Sequence, residues 1–216
     1  MTSRPFRMID VVPSAVPQSG NRLAVVLDAE GLAAEQMAAF SAWTILSECT
    51  FVLPPTDPAA DYRVRIFSLT TELPFAGHPM LGTARAWLDA GGGPRTPGRV
   101  VQECGVGLVP VRIDEVTLAF VAPPLIRSGP VDDADLAVAL AVLGVTPADV
   151  VEDPVTGSLN ASVAQWLTGS GRVAAPYMAR RGAKVGRDGR VRATESEGTL
   201  WIGGRAVVTV TGNAAV

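Results

Sequence analysis

Residues 73–88 read LPFAGHPMLGTARAWL, and residues 152–167 read EDPVTGSLNASVAQWL. In each, a turn closed by a glycine (Gly77, Gly157) opens a run that ends on an aromatic residue and a leucine, Trp87 with Leu88 and Trp166 with Leu167. Small and apolar residues dominate all sides of residues 80–88 and 158–167, so each run predicts a helix enclosed by other structure. Short β-rich segments follow both, at 100–103, 108–113 and 117–121 after the first and at 176–181, 190–194, 199–202 and 206–211 after the second. A turn, a buried helix and hairpins, met twice, imply an α+β fold of two pseudo-symmetric lobes, each a curved, mostly antiparallel sheet around its own apolar helix. The lobes are expected at residues 1–122 and 123–216, with the C-terminal strand able to cross back to the first.

Two further helices are predicted. Residues 31–43 carry Leu32, Met37, Phe40 and Trp43 on one side and fit an amphipathic helix lying on a sheet. Residues 132–143, ended by Gly144, read as another.

With 48% apolar and 18% charged residues, the 216-residue chain can bury one good core or two small ones. Its net charge of −3 gives no general attraction to nucleic acid or to anionic membranes. The arginines at 180, 181, 187, 190 and 192, with Lys184, read as a solvated hairpin face. No segment has the roughly 18 uninterrupted apolar residues of a membrane helix, and no secretory leader is visible, so a cytoplasmic protein acting on a small molecule is expected. Two cysteines, Cys49 and Cys104, are too few for a disulfide framework and are expected as reduced thiols, Cys49 with its side chain on the strand face opposite to Glu48 and Cys104 in the core. One histidine and no paired Cys or His spacing disfavour a zinc site.

Three places carry chemistry. Glu48 lies between the first helix and the apolar strand at 50–53, where partial desolvation suits a carboxylate to general acid-base work. Taken alone it could equally be an edge-strand acid facing water. His78, next to Gly77 and directly before the buried helix, could hold a substrate carboxylate or pass a proton; a lone histidine there is as often a packing or capping residue. In the second run Asp153 could hold an amine or hydroxyl, while Ser158 and the backbone N–H groups at Gly157 could hold a carboxylate or simply cap the helix. Two helix N-termini facing a cleft would favour an anionic ligand.

The run at 21–27, the segment holding Ser47, Glu48 and Phe51, and the segments at 72–82 and 152–167 together resemble the PhzF family of phenazine biosynthesis. The resemblance covers nearly the whole chain. It implies a diaminopimelate-epimerase-like fold, a homodimer, and isomerisation of a small carboxylate-bearing metabolite without metal or organic cofactor. It makes Glu48 the acid-base catalyst and places Ser47, Gly77, His78, Asp153, Gly157 and Ser158 around the substrate. Related epimerases use a cysteine at the start of each central helix; Gly77 with His78 and Gly157 with Ser158 stand there instead, which disfavours a two-thiol mechanism.

The chain departs from the family in two ways. Residues 145–151 run almost directly into Glu152 and Asp153, where relatives carry further strands and a helix, so the second lobe is expected to be short. A deletion, a stretch absent from this chain and a partner subunit covering the gap all fit that shortfall. The alternative is therefore a non-catalytic binding or dimerisation protein. Arg22 also stands where relatives usually have proline.

Overall fold

The computed structural model describes residues 2–114, 116–123 and 157–216. The expected helix at 132–143, the shortened stretch at 145–152, and Asp153 lie outside the described residues.

Among the described residues eleven strands join one mixed sheet. In chain order the elements are β1 (Ser3–Val11), β2 (Asn21–Val26), α1 (Ala34–Thr44), β3 (Cys49–Leu53), β4 (Tyr62–Ser68), β5 (Thr71–Leu73), α2 (Gly77–Asp89), β6 (Arg99–Cys104), β7 (Gly107–Asp114) and β8 (Thr117–Val121). After them come α3 (Gly157–Gly169), β9 (Tyr177–Arg181), a single 3-10 turn at Ala183–Val185, β10 (Gly189–Ser196) and β11 (Thr199–Ala215). The sheet order β1-β2-β3-β4-β6-β7-β8-β11 closes through pairing of β11 with β1, which makes a barrel, and β10 and β9 continue outward from β11. Pairings β2–β3 and β4–β6 are parallel; the others are antiparallel.

Helix α2 runs inside the barrel and touches β1, β2, β3, β6, β7, β8 and β11. This is why its sequence has no polar face: Met80, Leu81, Ala84 and Ala86 are all in the core with Ile9, Leu23, Val111 and Phe120. Each large apolar side chain buried there contributes about 1.5–3 kcal/mol. The polar groups of α2 find partners in the walls: the Met80 carbonyl accepts from the buried Gln102 amide at 3.0 Å, and Arg85 Nε donates to the Ala206 carbonyl at 2.9 Å. Gly82 faces the closest approach of helix to sheet, where a Cβ would stand 2.5 Å from Leu23 Cδ2 and 2.9 Å from Val11 Cγ2. Gly82→Ala is expected to lower stability by about 1–3 kcal/mol through overpacking, read as an earlier denaturant midpoint; an unchanged midpoint would show that the barrel yields at this point.

Helix α1 packs on the outside of the barrel. Phe40 meets Phe6, Phe51 meets Phe40, and Phe67 meets Phe51, all edge to face, with ring centroids 6.4, 6.1 and 5.7 Å apart. Met37 and Cys49 are fully buried in the same cluster. Helix α3 packs on β10, β11 and α2.

Several expectations change. Helix α2 begins at Gly77, so His78 lies in its first turn rather than before it. Helix α1 begins at Ala34, three residues late, because the Gln36 side chain accepts the Ala33 N–H at 2.9 Å and starts the helix there. The segments 199–202 and 206–211 are one strand. The glycines between them serve close packing instead of a turn: a Cβ on Gly203 would sit 2.1 Å from the Leu118 carbonyl oxygen. Cys104 is half-buried at the rim of the core rather than inside it, donating to the Gly107 carbonyl at 3.5 Å, whereas Cys49 is fully buried. No helix among the described residues is long and apolar enough to cross a membrane.

Candidate functional site

Glu48 is carried into place by the end of α1 and the start of β3. The helix stops at Ile45, whose backbone is left-handed at φ 54. A β-branched residue in that conformation is strained, and the strain sits three residues before Glu48. The Thr44 hydroxyl then accepts the Leu46 N–H at 3.4 Å and lies 3.1 Å from Cys49 Sγ, guiding the chain into the strand. Because strand side chains alternate, Cys49 and Phe51 face α1 while Thr50 faces α2. Glu48 shares the Thr50 side and points at the central helix.

There it meets His78. Glu48 Oε2 lies 3.3 Å from His78 Nε2, with side chains 17% and 4% exposed. The two atoms approach without the alignment of a direct hydrogen bond, an arrangement that in acid-base sites tightens when a ligand is present. On the far side of the ring, the Asn21 amide Nδ2 donates to His78 Nδ1 at 3.5 Å. That bond makes Nδ1 the acceptor, so the proton of the neutral ring sits on Nε2, facing Glu48. Burial pushes the His78 imidazole down to about 3, because an imidazolium would have to shed its water. Next to a carboxylate one would expect an upward pull. The imperfect alignment of the two groups weakens that pull, and enclosure of the ring, 4% exposed, outweighs it. The ring is therefore a neutral hydrogen-bonding group at physiological pH, not a cation that grips an anion by charge.

Two devices hold the pair. The Thr83 hydroxyl donates to Thr50 Oγ1 at 2.8 Å, with both residues fully buried, which pins α2 against β3 two residues beyond Glu48. The loop leading to Asn21 is tied down by the buried Asp10, which accepts the Gly20 N–H at 2.9 Å. Burial holds the Asp10 carboxyl above the usual carboxylate range, partly opposed by its backbone hydrogen bonds and by Arg187.

Ser47 borders a small hollow of about 70 Å³ together with Asn21, Arg22 and Arg187. Gly77 is buried as the first residue of α2. Gly157 and Ser158 are the first two residues of α3, which packs against α2; the structure brings Glu48, His78 and Gly77 together. A much larger cavity of about 710 Å³ lies elsewhere, on the outer face of β7, β8, β11 and β10, without Glu48 or His78 in its lining. The titratable pair, not the volume, marks the candidate for chemistry. Sequence reasoning missed Asn21, Thr50, Thr83 and Arg187. Asn21 had a signal, a polar residue that with Arg22 opens the apolar run at 23–27; the threonines had none.

Residues 12–130 match the family model described as phenazine biosynthesis-like protein, PhzC-PhzF. An uncharacterized isomerase of Mesorhizobium japonicum is 34% identical over 200 residues, covering 89% of this chain and 60% of its own length. The trans-2,3-dihydro-3-hydroxyanthranilate isomerase of Pseudomonas aeruginosa is 40% identical over 109 residues, covering 50% of this chain and 37% of its own length. The chain thus spans 60% and 37% of the length of these curated relatives. Among solved structures, a predicted epimerase from Pseudomonas aeruginosa aligns over 99% of both chains at a TM-score of 0.76 and 25% identity. A match over more than half of its length, on a barrel that carries Glu48 and His78 face to face, settles kinship: the chain belongs to the phenazine biosynthesis-like PhzC-PhzF family.

Proposed function

We propose that this chain is an isomerase of a small carboxylate-bearing metabolite, in which Glu48 moves a proton from one carbon to another without a cofactor. The observation that carries the reading is the Glu48 carboxylate, largely buried, 3.3 Å from a neutral imidazole in the first turn of a buried helix. Glu48 takes a proton from an activated carbon, the electron pair left behind spreads into the conjugated acid of the substrate, and the same carboxyl group returns the proton at a second carbon. His78 Nε2–H faces the carboxylate at 3.3 Å and closes a hydrogen bond to it when substrate binds. The N–H groups of Gly77 and His78 belong to the first helical turn, while Met80 N–H already bonds to the Ala76 carbonyl and Pro79 has none. Those first two groups suit a substrate carboxylate. Ser47 borders the same place, and Asp153, Gly157 and Ser158 form the opposing wall in this reading.

The two-lobed arrangement belongs to the same proposal, with α3 on β10 and β11 as the counterpart of α2, as does the homodimer, which would show as a doubled mass in solution. A relative named for trans-2,3-dihydro-3-hydroxyanthranilate sets the substrate class to test. With that acid in deuterium oxide, the expected result is an isomerised product carrying one solvent-derived deuterium on carbon. Binding with neither turnover nor exchange would overturn the reading and leave a shortened, non-catalytic binding protein.

A further inference from the structure

The sheet face that turns away from the core carries a second candidate site. On β7, β8, β11 and β10 the inward set, Val111, Leu118, Phe120, Ile202, Val191 and Ala193, lies in the core. Alternation therefore turns Arg112, Ala119, Gly203 and Arg192 outward. The pairing register places these four in one row across the four strands: Arg192 opposite Gly203, Gly203 opposite Ala119, and Ala119 opposite Arg112. With neighbouring strands about 4.8 Å apart, the two arginine backbones stand roughly 14 Å from each other, and nothing larger than a methyl group rises between them. The loop at residues 13–16 walls one side, held there by Arg205, whose guanidinium donates to the Ser14 carbonyl at 3.1 Å. The trough so formed is the cavity of about 710 Å³.

Its charge is not balanced. Four arginines, 112, 190, 192 and 205, line it against two aspartates, 114 and 188. Asp188 is shared between Arg190 at 2.9 Å and Arg180 at 2.7 Å, and Asp114 is 3.3 Å from Arg112. Arg205 is met by a neutral carbonyl, and the exposed Arg192 guanidinium makes no hydrogen bond or ion pair among the described residues. The Arg112 guanidinium also lies over the Trp201 ring, 5.0 Å from its centre, which fixes one rim of the trough. A floor of small residues with guanidinium groups at both ends, in a chain of net charge −3, suits a compact ligand bearing several negative charges.

We propose that this trough binds a small, multiply charged organic anion, a phosphorylated or polycarboxylate metabolite, at a site separate from Glu48. Calorimetric titration of the full chain with inorganic pyrophosphate and with citrate tests this and tells the two anion types apart. One of them is expected to bind in a salt-sensitive manner, to weaken about tenfold or more in Arg192→Ala, and to be lost in Arg192→Glu. Arg192 is exposed, so both variants are expected to fold, and an unchanged melting temperature checks that. Glu48→Gln should bind the anion as the wild type does. Failure of both probes to bind, or undiminished binding by Arg192→Glu, overturns the proposal. So does a dimer that Arg192→Glu splits without any anion binding, because the face would then be an interface between copies.

Discussion

Glu48→Gln is expected to lower turnover of a carboxylate substrate by about 10²–10⁴-fold, the usual worth of a positioned acid-base group. The amide fills the same space and leaves a carbonyl oxygen facing the Nε2–H of His78, which stands 3.3 Å from the carboxylate in the wild type. What it loses is the ability to hold and release a proton. Substrate affinity is therefore expected to stay within a few-fold while deuterium exchange from solvent disappears. Turnover within tenfold of the wild type would remove Glu48 from the proton path and move attention to another group on the same wall.

The second large effect concerns His78 and pH. An unfolded histidine titrates near 6.5, whereas burial holds this one down to about 3 in the folded chain. Below pH 6.5 the unfolded state binds a proton that the native state refuses, so stability falls as pH drops from 6.5 towards 3, by roughly 1 kcal/mol per pH unit. Above 6.5 both states are neutral at this position and the effect vanishes. His78→Gln carries an amide N–H that can serve Glu48 but does not titrate, so its acid limb of melting temperature against pH is expected to be flatter. The same variant separates two roles. If the imidazole acts only as a neutral donor, His78→Gln keeps a substantial part of the activity; if it carries the proton itself, the loss matches that of Glu48→Gln.

These two residues differ in how far the sequence revealed them. Glu48 was legible because it breaks into an apolar strand next to a helix end, and His78 because it is the sole histidine beside a glycine. That His78 stays neutral was not legible, since its enclosure depends on barrel walls drawn from the whole chain. Asn21 was visible only as a polar residue in a strand, while the Thr50 and Thr83 pair joins positions 33 residues apart that nothing local connects. The strand at Tyr62–Ser68 alternates clearly, with 62, 64 and 66 buried, yet its parallel pairing with β6 is a long-range event. Gly203 and Gly204 misled for a related reason: locally they look like a turn, and only close packing on Leu118 and Val12 explains them inside a strand.

By itself the sequence determined that α2 is enclosed, because a helix with apolar residues all round can be stable only where every side is covered. It also determined the chemistry available at Glu48 and His78, since side-chain type is written in the order of residues. Tertiary structure alone decided which strand closes the barrel, how 3.3 Å comes to separate the carboxylate from the imidazole, and that Arg190 and Arg192, read as part of a solvated face, join Arg112 and Arg205 around a trough. Those outcomes rest on register and burial between segments far apart in the chain, and both are set by the packing of the whole rather than by any local run of residues.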